Sequence, residues 1–206
     1  MDLPAISPAI RLLRVLGSPL ISMPEVMVAD DELMELYDYA AENRLPLFYL
    51  ETLKKQGKLD KLRAKYEAQT RQLHEVQDKA REIYHLFKSS SIESIIFKTI
   101  RPYTTVPTDV DVLLVDSKDY TRAAALVSSL GYQEENERAP GGKHLYPPNG
   151  GVFIDLRPEI ALSHIVYLDK NKLIKYAIKT RLNGDEVDIF PPGGRAGGYR
   201  RPFSNQ

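Results

Sequence analysis

The 206-residue sequence contains no cysteine, which excludes disulfide bonds, thiolate zinc sites and catalysis by a cysteine nucleophile. Neither sign of charge dominates, because Lys and Arg total 28 and Asp and Glu total 28, so the net charge does not indicate a nucleic-acid or membrane partner. No apolar run reaches the ~18 residues of a membrane span. Pro4, Pro8 and Pro19 interrupt the N-terminal stretch where a secretory signal would be apolar. These absences predict a cytoplasmic protein in which any metal site uses oxygen or imidazole ligands.

The first 90 residues carry helical patterns. Apolar side chains recur at steps of three and four, and Gly17, Pro46 and Gly57 separate the segments. The patterns predict helices over residues 8–16, 30–45, 46–56 and 59–87. The last of these has two interpretations, a coiled-coil surface for a partner or a helix packed on its own domain. We favour the second, because Gln69 and Ala80 weaken the apolar seam.

From about residue 91 the apolar period changes from helical to extended. The pattern predicts strands at 95–97 and 109–115, a helix at 119–130, a hairpin from 143–146 and 152–156, a helix at 169–179 and a hairpin at 180–189. Residues 193–206 lack apolar periodicity and are predicted to be a disordered tail. We therefore expect an α+β fold, with a helical region over residues 1–90 and an α/β domain over residues 91–192 that contains a mixed β-sheet flanked by helices.

Two carboxylates at the start of an apolar strand are the most informative feature. Asp109 and Asp111 are separated by one residue, and side chains alternate between the two faces of a strand, so both point the same way. Like charges this close raise each other's pKa unless a cation lies between them, and oxygen ligands favour Mg²⁺ or Mn²⁺. The pair therefore predicts a divalent metal site. Against this, such a pair also occurs by chance, and Asp109 can cap a turn after Pro107.

A third acid, Asp155, lies within the apolar strand predicted at 152–156, where an unpaired carboxylate would be costly to bury. An ion pair with Arg157 or a lysine would satisfy it. We favour an arrangement in which its strand lies beside that of Asp109 and Asp111, so that the three carboxylates can hold two divalent ions. Such a cluster suits phosphoryl or nucleotidyl transfer, because one ion lowers the pKa of the attacking hydroxyl and both stabilise charge on the phosphorus and the leaving pyrophosphate. Asp155 would then also accept the hydroxyl proton.

In this layout the sequence resembles the nucleotidyltransferase superfamily related to polymerase beta, in particular its widespread family with an N-terminal helical region. The resemblance spans about residues 30–190. In that superfamily a Gly-Ser pair after the first strand binds the triphosphate, and a Ser-Asp-x-Asp motif and a third carboxylate follow. The matching positions here are Lys98-Thr99, then Thr108-Asp109-Val110-Asp111, and then Asp155.

The resemblance implies an enzyme with a nucleotidyltransferase-like sheet that transfers a nucleoside monophosphate from an NTP, such as ATP, to a hydroxyl of an unknown acceptor (RNA, protein or small molecule). It implies two Mg²⁺ or Mn²⁺ ions as cofactors. The implied catalytic and metal-binding residues are Asp109, Asp111 and Asp155, and the implied nucleotide-binding residues are Lys98, Thr99 and Thr108.

Lys98 departs from the superfamily pattern, since it replaces the glycine that lets backbone amides approach phosphate closely. Its ammonium could neutralise phosphate directly, or it could pair with the carboxylates in a protein that no longer turns over. The alternative to the enzyme is therefore a catalytically inactive binding or regulatory protein with the same fold. A metal-dependent glycosyltransferase would also use an Asp-x-Asp pair, but the short spacing from Lys98 to Asp109 leaves little room for its nucleotide-sugar domain.

The remaining polar candidates carry weaker signals. His144, on the strand before Asp155, could contact a base or an acceptor, although a polar position on an exposed strand face is the favoured interpretation. His74 and His85 are eleven positions apart on one predicted helix, a spacing that forms no metal pair. Arg101 and Arg157 could reach phosphate, and surface ion pairing explains them equally well.

Overall fold

A computed structural model of the chain describes residues 7–17, 28–100, 103–134, 142–162 and 165–190. Within these residues the fold is α+β, as the sequence predicts, with helices in the N-terminal part and a mixed sheet after them. The tail predicted to be disordered, residues 193–206, lies outside the described residues. No helix in the described part of the chain is long and apolar enough to cross a membrane. The chain divides into two compact units, Met1–His74 with Tyr103–Val106, and Glu75–Pro102 with Pro107–Gln206.

Short helices that each bury one face form the first unit. Its elements are α1 (Pro8–Leu16), α2 (Leu33–Glu42), α3 (Pro46–Lys55), a 3-10 turn (Asp60–Leu62) and the first part of α4 (Arg63–Ser89). The bounds of α1 are those predicted, and it ends at Gly17 with φ +77°. α2 begins three residues later than predicted, because the Glu32 N–H donates to Ala29 O and closes a turn there. The shared core includes Leu12, Leu36 and Leu50.

The segment Tyr103–Val106 belongs to this helical unit although it lies between two strands of the sheet in sequence. The Thr104 hydroxyl donates to Glu51 Oε2 at 2.7 Å, and the buried Thr105 hydroxyl donates to Arg44 O at 3.1 Å. The chain therefore leaves the second unit after one strand and returns to it at the strand that carries Asp109 and Asp111.

A seven-stranded sheet dominates the second unit. Its strands are β1 (Ser94–Ile96), β2 (Asp109–Leu114), β3 (Gln133–Glu134), β4 (Lys143–Tyr146), β5 (Phe153–Arg157), β8 (Ile178–Leu182) and β9 (Asp185–Ile189), in the order β3-β4-β5-β2-β1-β9-β8. The β2–β5 and β1–β9 pairs are parallel and the others are antiparallel. The remaining elements are α5 (Tyr120–Ser129), α6 (Lys170–Ile174) and the separate hairpin of β6 (Ile160–Leu162) and β7 (Ile165–Leu168).

The two faces of this sheet have different surroundings. One face carries Val110, Val112 and Ile154 and packs against α5 and the end of α4, including Ile83 and Phe87. This contact supports the interpretation of α4 as a helix packed on its own domain. Because side chains alternate along strands, the carboxylates of β2 and β5 lie on the other face. A smaller apolar cluster there contains Phe97, Leu113 and Ile160.

The sequence prediction was wrong for the helix expected over residues 169–179. The structure has only α6, Lys170–Ile174, which begins after Asp169, whose side chain accepts the Asn171 and Lys172 N–H groups. β8 starts at Ile178, and its ladder partner is Ile189 of β9. Pairing with β9 therefore replaces the last turns of the expected helix. The short strands β3, β6 and β7 were not predicted.

Candidate metal centre

The parallel ladder between β2 and β5 brings the three aspartates together. Asp111 lies directly opposite Asp155, and Asp109 lies opposite Phe153. Each of the three carboxylates offers an oxygen, and these atoms lie within 4.8 Å of one another. Asp111 and Asp155 are 6% and 4% exposed, whereas Asp109 is half-buried at the edge of the group. The strand adjacency on which the metal hypothesis depends is therefore present.

Burial and neighbouring negative charge disfavour the ionised forms of Asp111 and Asp109. Burial is the main factor that raises the pKa of Asp111 to about 7, and the charge of Asp109 raises it further, while the Lys98 ammonium acts in the opposite direction. The pKa of Asp109 is also raised, first by burial and then by the charge of Asp155. A divalent cation would stabilise the ionised form of each group and reverse these shifts. The three carboxylates could thus hold a metal ion.

Arg157 satisfies only one oxygen of Asp155. Its Nε donates to Oδ2 at 2.8 Å, and its Nη2 lies 2.7 Å from the same oxygen. Oδ1 is buried, and no group in the described part of the chain donates a hydrogen bond to it. The Nε2 atom of His144 lies 3.7 Å from Oδ1. The ion pair with Arg157 therefore exists, but it leaves a buried anionic oxygen that fits the requirements of a hard metal ligand.

Lys98 and Thr99 form a tight turn beside Asp111. The Thr99 N–H donates to Phe97 O at 2.7 Å, which closes a three-residue turn, and Lys98 at its centre has φ +59°. Lys98 thus adopts the left-handed conformation that glycine favours. Its Nζ lies 3.8 Å from Asp111 Oδ1 and 4.7 Å from the Phe97 ring centroid. Lys98 therefore combines a backbone conformation that glycine adopts without strain with a positively charged side chain.

The two threonines predicted to bind nucleotide have different surroundings. The Thr99 hydroxyl is buried and accepts the Asp111 N–H at 2.9 Å, so it supports the strand that carries the carboxylates. Thr108 is exposed, and its hydroxyl lies 3.4 Å from Asp109 Oδ1. Arg101, the other cation considered for phosphate, lies outside the described residues.

An aromatic group next to the carboxylates was missed by the sequence analysis, apart from His144. The rings of Tyr146 and Phe153 are stacked, with centroids 4.9 Å apart and planes at 23°. The His144 ring centroid lies 5.8 Å from that of Phe153. The signal was present as His144 and Tyr146 at alternate positions of one strand and Phe153 at the start of the next. Its significance depends on strand register, which the pattern alone does not provide.

Comparison with known proteins finds a distant structural similarity. No protein-family model and no curated protein matches the chain. Among solved structures, it is similar to the lincosamide antibiotic adenylyltransferase LnuA in its lincomycin-bound crystal structure, with 12% sequence identity and a TM-score of 0.39. The match covers 53% of this chain and 77% of that one.

Proposed function

We propose that this protein is a metal-dependent nucleotidyltransferase, which transfers a nucleoside monophosphate from an NTP to a hydroxyl of an acceptor. One observation carries the proposal: three carboxylates from two parallel strands offer oxygens within 4.8 Å of one another, and one of these groups has a buried oxygen without a donor among the described residues. Clustered carboxylates that hold divalent ions are a recurring solution for phosphoryl transfer.

Each aspartate has a defined part in the proposed site. Asp109 and Asp111 would hold the first ion, and Asp155 would complete the position of a second. Bound divalent ions would supply positive charge against the phosphate oxygens and lower the pKa of the acceptor hydroxyl. In the reaction, the acceptor oxygen forms a bond to the α-phosphorus, the bond from that phosphorus to the bridging oxygen breaks, and pyrophosphate leaves. The Asp155 carboxylate accepts the hydroxyl proton.

Lys98 would bind the triphosphate. Its side chain is 49% exposed, and its ammonium is only 3.8 Å from Asp111, so it is available to an anion that arrives at the carboxylates. Thr108 lies next to Asp109 on the exposed side and would also face the nucleotide. Thr99 would act indirectly, because its hydroxyl holds the Asp111 backbone.

Calorimetric titration with Mg²⁺, Mn²⁺ and each Mg–NTP tests the binding, and pyrophosphate release tests the turnover. We expect Asp109→Asn to weaken Mn²⁺ binding by at least ~10-fold, the loss typical of damage around metal sites. The matched control is Asp38→Asn, an exposed acid on α2 in the other unit, which should bind metal as the wild type does. A folded wild-type protein that binds neither divalent ions nor any NTP would overturn the proposal.

A second function, binding without turnover, is favoured by the position of Lys98. An ammonium 3.8 Å from Asp111 partly neutralises the cluster and occupies the surroundings that a metal ion would need. This alternative predicts NTP binding that does not depend on divalent ions and no pyrophosphate release. Repeating the NTP titrations with EDTA separates the two functions, since the enzyme requires the metal and the binding protein does not.

A further inference from the structure

Three neighbouring strands present their side chains on one face in ordered rows. The β2–β5 ladder pairs Asp109 with Phe153 and Asp111 with Asp155. The β4–β5 ladder pairs His144 with Asp155, and the pairing of Leu145 with Ile154 places Tyr146 beside Phe153. One row across the sheet is therefore Asp109, Phe153 and Tyr146, and the next is Asp111, Asp155 and His144. Because neighbouring strands are about 4.8 Å apart, the aromatic rings begin one strand away from the carboxylates.

The aromatic rings form a surface that can accept a flat partner. Tyr146 and Phe153 are stacked with planes at 23°, Tyr146 is 37% exposed, and Phe153 is half-buried. The His144 ring packs at 59° against Phe153 and reaches toward Asp155. Aromatic side chains beside a cluster of carboxylates combine a flat apolar face with charge at its border. That combination suits a ring that carries a hydroxyl group.

The order of the strands determines which substrate would meet this surface. In the order β4-β5-β2-β1, Lys98 follows β1 and lies on one side of the carboxylates, whereas Tyr146 and His144 lie on the other side. In an in-line displacement the leaving pyrophosphate and the attacking oxygen lie on opposite sides of the phosphorus. If Lys98 binds the triphosphate, the attacking hydroxyl approaches from the side of β5 and β4.

We infer that Tyr146, Phe153 and His144 bind a ring of the acceptor, so that its hydroxyl lies next to Asp155. The inference rests on the proposed nucleotidyltransferase function and names the acceptor class, a hydroxyl compound with a flat apolar ring face. Two sources share this chemistry, a nucleoside and a pyranoside. His144 Nε2, 3.7 Å from Asp155 Oδ1, lies at the border between the ring surface and the carboxylate that would take the proton.

The test uses the full chain with Mg²⁺ and a non-hydrolysable ATP analogue. Saturation-transfer NMR is recorded with adenosine, with methyl glucopyranoside and, as a ring-free hydroxyl compound, with glycerol. We expect transfer to the ring protons of the nucleoside or the pyranoside, and the compound that shows it identifies the source. Equal transfer to glycerol, or none to any ring, overturns the inference.

Variants separate this surface from the nucleotide site. Tyr146→Leu should weaken binding of the ring compound by ~10-fold, which is the typical loss of affinity when one stacked ring is removed. Tyr146→Phe keeps the ring and should restore binding. Tyr176→Leu, at another exposed tyrosine of the same unit, is the matched control and should leave ring binding unchanged.

The Kd of the Mg–ATP analogue is measured for the same proteins. If Tyr146→Leu weakens binding of the nucleotide and not binding of the ring compound, the aromatic rings stack on the nucleobase. The assignment of the acceptor is then wrong, while the proposed function stands. If the wild type fails to bind the Mg–ATP analogue, the proposed function itself fails. The two failures are therefore distinguishable, and circular dichroism of each variant confirms that it has folded.

Discussion

Arg157 Nε donates a hydrogen bond to Oδ2 of Asp155, and Nη2 lies 2.7 Å from the same oxygen. The second oxygen of that carboxylate has no donor among the described residues. The arrangement orients the Asp155 carboxylate but leaves one of its oxygens without a hydrogen-bond donor. An ion pair that had evolved only for stability would be expected to engage both oxygens. The second oxygen is buried, and the carboxylate as a whole offers an oxygen to the group formed with Asp109 and Asp111.

Replacing Arg157 should therefore destabilise the metal-free protein and have a smaller effect when metal is present. We expect Arg157→Met to lower the free energy of unfolding by ~3 kcal/mol, since it leaves a buried carboxylate without its partner. Saturating Mn²⁺ should recover part of this loss, because the cation takes over the neutralisation. Urea denaturation with and without Mn²⁺ measures both values. An equal loss in the two conditions would show that the cation does not contact Asp155.

Stability should depend on pH through Asp111. Its pKa is raised to about 7, above the value of 3.8 for an unperturbed aspartate, so the unfolded chain releases this proton at lower pH than the folded protein. The free energy of unfolding without metal should consequently fall as the pH rises from about 4 to about 7, by at most roughly 1.4 kcal/mol for each pH unit. Below pH 4 this contribution is fully present.

The same titration predicts how metal and substitution act. Mg²⁺ should raise Tm more at pH 8 than at pH 5, because only the ionised carboxyl binds it. Asp111→Asn should reduce this pH dependence, leaving the part due to Asp109, and raise the stability of the metal-free protein at pH 8. Thermal unfolding monitored by circular dichroism at both pH values provides the measurement. A Mg²⁺ effect that does not change with pH would contradict the assignment.

Lys98 combines a strained backbone with a charge, and two substitutions separate these properties. Lys98→Gly and Lys98→Ala both remove the ammonium, but only glycine adopts φ +59° without strain. We expect the glycine variant to be more stable than the alanine variant by ~1 kcal/mol in urea denaturation.

Both substitutions also report on the role of the charge. If Lys98 binds phosphate, each should weaken the Mg–NTP complex by roughly 10-fold, as is typical when a charge-assisted contact is lost. If Lys98 substitutes for a cation at Asp111, each should instead tighten Mg²⁺ binding in the absence of nucleotide. Calorimetry with Mg²⁺ alone and then with Mg–NTP decides between these outcomes.

We expect the Thr99 hydroxyl to stabilise β2 through its single hydrogen bond with the Asp111 N–H. Thr99→Val keeps the shape of the side chain but leaves the Asp111 N–H without its acceptor, at a cost of ~1 to 3 kcal/mol. Hydrogen exchange of the Asp111 amide should accelerate in this variant. Thr99→Ser retains the hydroxyl and is the matched control. Unchanged exchange in Thr99→Val would mean that the hydroxyl does not hold β2 in place.

Sequence patterns correctly predicted the features that depend only on neighbouring residues. The Asn183-Gly184 turn was predicted from residues that tolerate positive φ, and the structure has φ values of +47° and +98° there. The alternation of Asp109 and Asp111 also predicted their common face. The pairing of Asp111 with Asp155 was expected only as strand adjacency, because the register depends on packing between segments 44 positions apart in sequence.

Other features had no local signal. The left-handed conformation of Lys98 could not be predicted, since residues other than glycine rarely adopt it, and the tight turn between Phe97 and Thr99 imposes it here. Tyr146 and Phe153 looked like ordinary strand residues until the β4–β5 register placed them side by side. The last residues of the helix predicted at 169–179 belong to β8 instead, because pairing with β9 outweighed the local preference for helix.

The parallel β2–β5 ladder has a consequence for folding. Its two carboxylate-bearing strands come from distant parts of the sequence, and the unfolded chain brings only Asp109 and Asp111 near each other. A cation held by all three groups would be a reversible crosslink that closes a long loop and binds only after that loop has formed. Occupancy by metal would then report on the assembly of the middle of the sheet, and its removal would loosen these two strands before the hairpin of β8 and β9.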